Sequence, residues 1–105
     1  MTLGAAGGPK IITQVLLAIT RYIDLESTVQ DSVRSARFHH QWRPDVLFVE
    51  SNMPILVAQS LGQRGHDVRR LGSAGILQAI VRERTGEQSF TAISDPRVPG
   101  RAAGF

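Results

Sequence analysis

Two adjacent glycines, Gly7 and Gly8, precede Pro9 and a strongly patterned helical segment. Without Cβ atoms, such a pair adopts backbone conformations closed to other residues and lets its N–H groups come close to a partner. A helix starting just behind adds the positive end of its dipole. The chemistry open to this corner is the holding of negative charge. The same pair also makes an ordinary tight turn, and from the pair alone that is the favoured reading.

Other residues invite chemistry less strongly. His39 and His40 suggest a metal, but neighbours on a strand face opposite ways and on a helix lie about 100° apart. Zinc takes about four ligands, and the only further histidine is His66. Packing and hydrogen bonding around Trp42 and Phe38 is the favoured account. Asp95 with Arg97 could be a catalytic acid and an electrostatic clamp. An Asp before a proline also starts turns, and a structural role is the favoured reading. Ser73 lacks the Gly-x-Ser-x-Gly frame of an esterase elbow, so Gly72-Ser73-Ala74-Gly75 reads as a loop.

Composition bounds the answer. The 105 residues allow a single domain that buries roughly 60–65% of its unfolded surface. There is no cysteine, which removes thiolate chemistry and leaves the compartment open. The net charge is +3 and Lys10 is the only lysine. Arginines alternate with acids, as in Arg82-Glu83-Arg84, whereas a nucleic-acid binder groups its charge on one face. No apolar run approaches the ~20 residues of a membrane span. Met1 to Gly8 has no basic stretch followed by an apolar one, so it does not read as a signal peptide.

The elements that would position these residues follow from periodicity. Leu3 to Ala6 reads as the end of a strand. Pro9 suits the first position of a helix, in which Ile12, Val15, Leu16, Ile19, Tyr22 and Ile23 recur at helical spacing. Leu17 and Ala18 widen that face and predict burial on more than one side. Thr28 to Asp31 resembles a capping box for a short helix with Val29, Val33 and Ala36 on one face. Arg37 to Pro44 reads as a connection. Val46 to Val49 reads as a strand buried on both faces. Ser51 or Asn52 would cap a third helix, with Ile55, Leu56, Ala58 and Leu61 as its apolar side and Gly65 ending it. Asp67 to Leu71, Gly75 to Glu83 and Ser89 to Ser94 read as strands. Arg84 to Gln88 would form a hairpin turn between the last two, and Pro96 to Phe105 a closing loop. The order predicts an α+β fold with a mostly antiparallel sheet under a helical layer. A sheet this small, with one helical layer, leaves an edge or a face uncovered.

Four stretches together resemble the gamma-glutamyltransferase (gamma-glutamyltranspeptidase, glutathione hydrolase) family. Gly4-Ala5-Ala6-Gly7-Gly8-Pro9-Lys10-Ile11-Ile12 is similar to its Gly-Ser-Pro-Gly-Gly segment. Arg37-Phe38-His39-His40-Gln41-Trp42-Arg43-Pro44-Asp45 is close to a bacterial signature. Ser94-Asp95-Pro96-Arg97 and Ala103-Gly104-Phe105 resemble its Ala-Ser-Asp-Pro-Arg and its terminal Ala-Gly-Tyr. Order and separation match along nearly the whole chain. There are departures: Ala5 stands for a serine, Pro9 for a residue that is usually hydroxylated, and Leu71-Gly72-Ser73-Ala74-Gly75 for a bacterial Met-Gly-Ser-Thr-Gln.

The resemblance implies an N-terminal-nucleophile (Ntn) hydrolase of αββα fold, which cleaves itself into a large and a small subunit. The small subunit's new N-terminal threonine attacks the gamma-glutamyl amide of glutathione, and water or an acceptor resolves the acyl-enzyme. This requires a nucleophile, its own amine as base, and oxyanion donors; no cofactor or metal enters. Gly7 and Gly8 resemble the backbone donors. The chain resembles the C-terminal part of the small subunit, and no threonine in it has the nucleophile's context. The implied partners are the large subunit and the N-terminal part of the small subunit, with a gamma-glutamyl substrate in the complete protein. The chain alone is expected to be inactive. Whole members are commonly periplasmic or secreted. The alternative is a non-enzymatic binding or assembly module that self-associates through its uncovered sheet.

Overall fold

The computed structural model describes residues 1–82 and 89–104. The fold is mixed α+β, with three helices and two three-stranded sheets among the described residues. It divides into two compact units, Met1–Ser35 with Gly75–Phe105, and Ala36–Ala74.

The first unit holds β1 (Thr2–Ala6), α1 (Lys10–Ile23), α2 (Val29–Arg34), β5 (Ile76–Arg82) and β6 (Phe90–Ile93). Its sheet has the order β1-β5-β6, antiparallel throughout. The register aligns Leu3 with Ala79 and Ala79 with Ile93. Residues of β5 alternate between buried and open, as a strand with one covered face must. Leu77, Ala79 and Val81 pack with Ala18 of α1 and with Val29 and Val33 of α2. Full burial of each larger apolar side chain contributes roughly 1.5–3 kcal/mol.

Thr28 caps α2 as predicted: its Oγ1 accepts from Asp31 N at 3.0 Å and donates to Asp31 Oδ2 at 2.8 Å, so the Asp31 carboxylate bonds the cap's hydroxyl and not its backbone N–H as a full capping box would. The helix ends at Arg34, so Ala36 lies beyond it and does not share the face of Val29 and Val33. In α1 the expectation of burial on more than one side is corrected. Gln14 and Ala18 are buried, with Val15 and Tyr22 half-buried beside them. Ile12, Leu16, Ile19 and Ile23 form an exposed apolar stripe on the same helix.

The second unit holds β2 (Phe38–Gln41), β3 (Val46–Glu50), α3 (Ile55–Gln63) and β4 (Val68–Leu71). Here β2 pairs antiparallel with β3, and β3 pairs parallel with β4. The parallel pair follows from the connection, because α3 carries the chain back before β4 starts. The expectation of a single sheet is thus replaced by two, one of them mixed. Part of the predicted connection at Arg37 to Pro44 is strand β2. The run Val46 to Val49 is the central strand, as its apolar continuity predicts.

At α3 the cap position is Pro54, with no side-chain cap bond; Ser51 Oγ donates instead to Leu71 O at 2.9 Å. Ala58 and Leu61 pack against Leu47, Val49 and Val68, while Ile55 and Leu56 are exposed. Gly65, φ +95°, follows the helix end in the expected left-handed conformation. The hairpin turn predicted at Arg84 to Gln88, Glu83 at the end of its strand, and Phe105 lie outside the described residues. Pro96 to Gly104 forms no helix or strand.

Candidate functional site

Gly7 and Gly8 form the whole connection between β1 and the cap of α1. Gly7 has φ +141° and Gly8 φ +61°, conformations that residues with a Cβ reach only with strain. The turn closes through the two carbonyls: Lys10 N donates to Gly7 O at 3.3 Å and Ile11 N to Gly8 O at 3.0 Å. That bonding leaves the glycine N–H groups out of the turn. Both residues are exposed, and a Cβ on Gly8 would meet open space. Close packing therefore does not explain that glycine; its backbone conformation does.

The helix behind the corner is 14 residues long. Pro9 caps it without a side-chain bond, and its first turn carries no acidic residue. The positive end of the helix dipole is therefore not offset by a local carboxylate. A corner with two glycine amides and an uncompensated helix N-terminus suits negative charge.

Two residues that support this corner escape the apolar pattern. Gln14 is 1% exposed, and its Nε2 donates to Ala6 O, the carbonyl immediately before Gly7, at 3.2 Å. Gly75 has φ +112°. A Cβ there would run into Gln14 Nε2 and the Ala6 carbonyl oxygen, and would lie 3.1 Å from Gln14 Cδ. The available signal was positional: Gln14 lies one helical turn before Ala18, so an amide occupies a core-facing slot.

The remaining candidates resolve into structure. Asp95 is 1% exposed and accepts from Leu77 N at 2.7 Å and from Arg97 N at 3.0 Å. Arg97 donates to the carbonyls of Val33 and Ser35, each at 3.1 Å. The pair pins the C-terminal segment to β5 and to the end of α2. His39 Nε2 lies 3.0 Å from Gln41 Oε1, and His40 Nε2 2.9 Å from Asp45 Oδ1. The expected hydrogen bonding is present, but the expected packing around Trp42 is not. Trp42 is 80% exposed, with the Arg43 guanidinium 4.5 Å from its ring centroid. Ser73 is exposed in a loop. No described helix is long and apolar enough to cross a membrane.

Comparison with known proteins places the chain in a family. The family model described as Gamma-glutamyltranspeptidase matches residues 1–105. The chain is 38% identical over 109 aligned positions to glutathione hydrolase proenzyme 2 of Schizosaccharomyces pombe, covering 100% of this chain and 17% of that protein. It is 36% identical over 103 positions to the glutathione hydrolase proenzyme of Escherichia coli, covering 97% of this chain and 17% of that one. The crystal structure of a mutant gamma-glutamyltranspeptidase from Helicobacter pylori superposes with a TM-score of 0.81 at 32% identity. That match covers 91% of this chain and 53% of the solved chain. The chain thus spans about a sixth of the length of these full-length relatives and about half of the solved chain. With a family match along every residue, and relatives of that name alike in sequence and in fold, the chain belongs to the gamma-glutamyltranspeptidase family.

Proposed function

We propose that residues 1–105 are the C-terminal portion of a gamma-glutamyltransferase small subunit and supply the oxyanion side of its active site. The observation that carries this reading is the Gly7–Gly8 corner. Two successive glycines at positive φ, with N–H groups outside the turn's own bonding, sit at a helix N-terminus with no acidic first turn. In the proposed reaction a threonine hydroxyl attacks the gamma-glutamyl carbonyl, and its own amine takes the proton. The carbonyl oxygen becomes an oxyanion held by Gly7 N–H and Gly8 N–H. Collapse expels the amine and leaves an acyl-enzyme, which water or an acceptor amine resolves. The nucleophile comes from residues outside these 105.

The same reading accounts for the open face of the first sheet. Ile80 is 47% exposed and Phe90 66% exposed, on the face away from α1 and α2. In an αββα sandwich a second sheet covers such a face, so the remainder of the small subunit and the large subunit are the proposed partners. A gamma-glutamyl anilide assay tests the reading. The chain alone is expected to give no turnover, and robust turnover by the purified chain sinks it.

A second reading, a self-associating assembly module, is favoured by the same exposed apolar residues together with the stripe of Ile12, Leu16, Ile19 and Ile23 on α1. Light scattering separates the two: a stable, compact monomer counts against self-association.

A further inference from the structure

We infer that Gln14 is a positioning residue that sets the aim of the Gly7 N–H. The inference rests on the oxyanion reading of Gly7 and Gly8 and extends it to a side chain on α1. The Ala6 carbonyl and the Gly7 N–H are the two ends of one planar peptide group. The one cis peptide bond among the described residues is Arg43–Pro44, so the Ala6–Gly7 group is trans and its C=O and N–H point in opposite directions. A hydrogen bond that fixes one end therefore fixes the other.

The bond from Gln14 Nε2 to Ala6 O, 3.2 Å long, holds the carbonyl end. Without it the peptide group lies next to a glycine, where backbone rotation meets the least steric resistance. The bond also polarises the peptide, which makes Gly7 N–H a better donor. The anchor is rigid because Gln14 is 1% exposed, on the core side of a 14-residue helix. Gly75 completes the arrangement: its missing Cβ is what leaves room for the Gln14 amide over the Ala6 carbonyl.

The test is made on the full 105-residue chain by solution NMR. In the native chain the Gln14 side-chain amide protons should exchange with solvent far more slowly than those of exposed Gln59, and the Gly7 N–H should show a rigid order parameter of about 0.85. Gln14→Met keeps a similar length and removes the donor. Its expected signature is a reoriented Gly7 N–H vector in residual dipolar couplings, or an order parameter below about 0.6, with the amides of Val15 and Ala18 unchanged. An unchanged Gly7 vector in Gln14→Met, with α1 intact, overturns the inference. Should that variant fail to fold, the native chain still decides: a Gln14 amide exchanging as fast as that of Gln59 overturns it equally. None of these readouts needs turnover. Loss of the oxyanion reading in an activity assay would leave the Gln14 anchor measurable, and loss of the anchor would leave the two glycines as candidate donors.

Discussion

Asp95 Oδ1 accepts from both the backbone N–H and the Nη1 of Arg97, each at 3.0 Å. One carboxylate oxygen thus closes the Asp-Pro-Arg turn on itself. The other oxygen accepts from Leu77 N in β5 at 2.7 Å. The Arg97 guanidinium goes on to the carbonyls that end α2, where the negative end of a helix dipole favours a cation. Two side chains so join a strand, a helix end and the C-terminal segment.

Asp95→Asn is expected to destabilise the chain by about 2–4 kcal/mol, because it leaves a largely buried guanidinium without its charge partner and turns an amide N–H₂ toward donors. The Asp95 side chain is wholly buried and that of Arg97 only 11% exposed, so solvent screening offsets little of this. Urea denaturation should show a lower midpoint at unchanged slope. A midpoint equal to that of the parent chain would mean that the pair contributes nothing net.

How much of this was legible in the sequence differs from element to element. Thr28, Gly65 and the run Val46 to Val49 act through local rules (a cap, a positive-φ stop, apolar continuity), and all three are where those rules place them. The helical period of α1 was legible, but a period reports which face is apolar and not what covers it. Ile12, Leu16, Ile19 and Ile23 therefore read as core and are open. Strand β2 was hidden because Phe38, His39, His40 and Gln41 carry no apolar alternation; what alternates is burial, with His39 inward and Phe38 and His40 outward. At the site, the two glycines were legible and their anchor was not. Gln14 falls between the apolar positions of the α1 pattern, and Gly75 read as part of a loop.

In the second unit, Glu50 is 1% exposed and accepts from Arg37 N at 2.9 Å and from Ala74 N at 2.8 Å. Its carboxylate holds both ends of that unit, Ala36–Ala74, to the central strand. Glu50→Ala is expected to cost about 2–4 kcal/mol by stranding two buried donors. Hydrogen exchange should show the amides of Arg37 and Ala74 losing protection first. If protection instead falls evenly over the whole chain, Glu50 does not act as this local clasp.

Gly75→Ala tests the packing beneath the glycine corner. At φ +112° any Cβ is strained, and this one would also meet the Gln14 amide and the Ala6 carbonyl. The strain alone costs about 1–3 kcal/mol, and relief of the clash must move backbone or expel the amide. Gly8→Ala is the matched control, since its φ of +61° is strained but its Cβ would meet open space; about 1–2 kcal/mol is expected there. Thermal unfolding should therefore rank Gly75→Ala well below Gly8→Ala. Equal melting temperatures would show that Gly75 is kept for its backbone conformation alone.

The stripe on α1 makes the opposite prediction. Ile12 is 77% exposed and Leu16 59% exposed, one turn apart on the face away from Ala18. Replacing both with lysine removes little buried surface, part of which the lysine stems cover again, and adds two good helix formers. Stability of the isolated chain should stay within about 0.5 kcal/mol of the parent, as for surface substitutions generally. Association should not stay the same, because a partner or second copy seated on that stripe would have to bury two ammonium groups, which is costly unless they are paired. Light scattering on parent and variant at matched concentration checks both halves of the argument. A variant that unfolds would show that the stripe packs within the chain. A variant that keeps both its fold and the parent's association would place the contact elsewhere, with Ile80 and Phe90 on the open sheet as the next apolar residues to mutate.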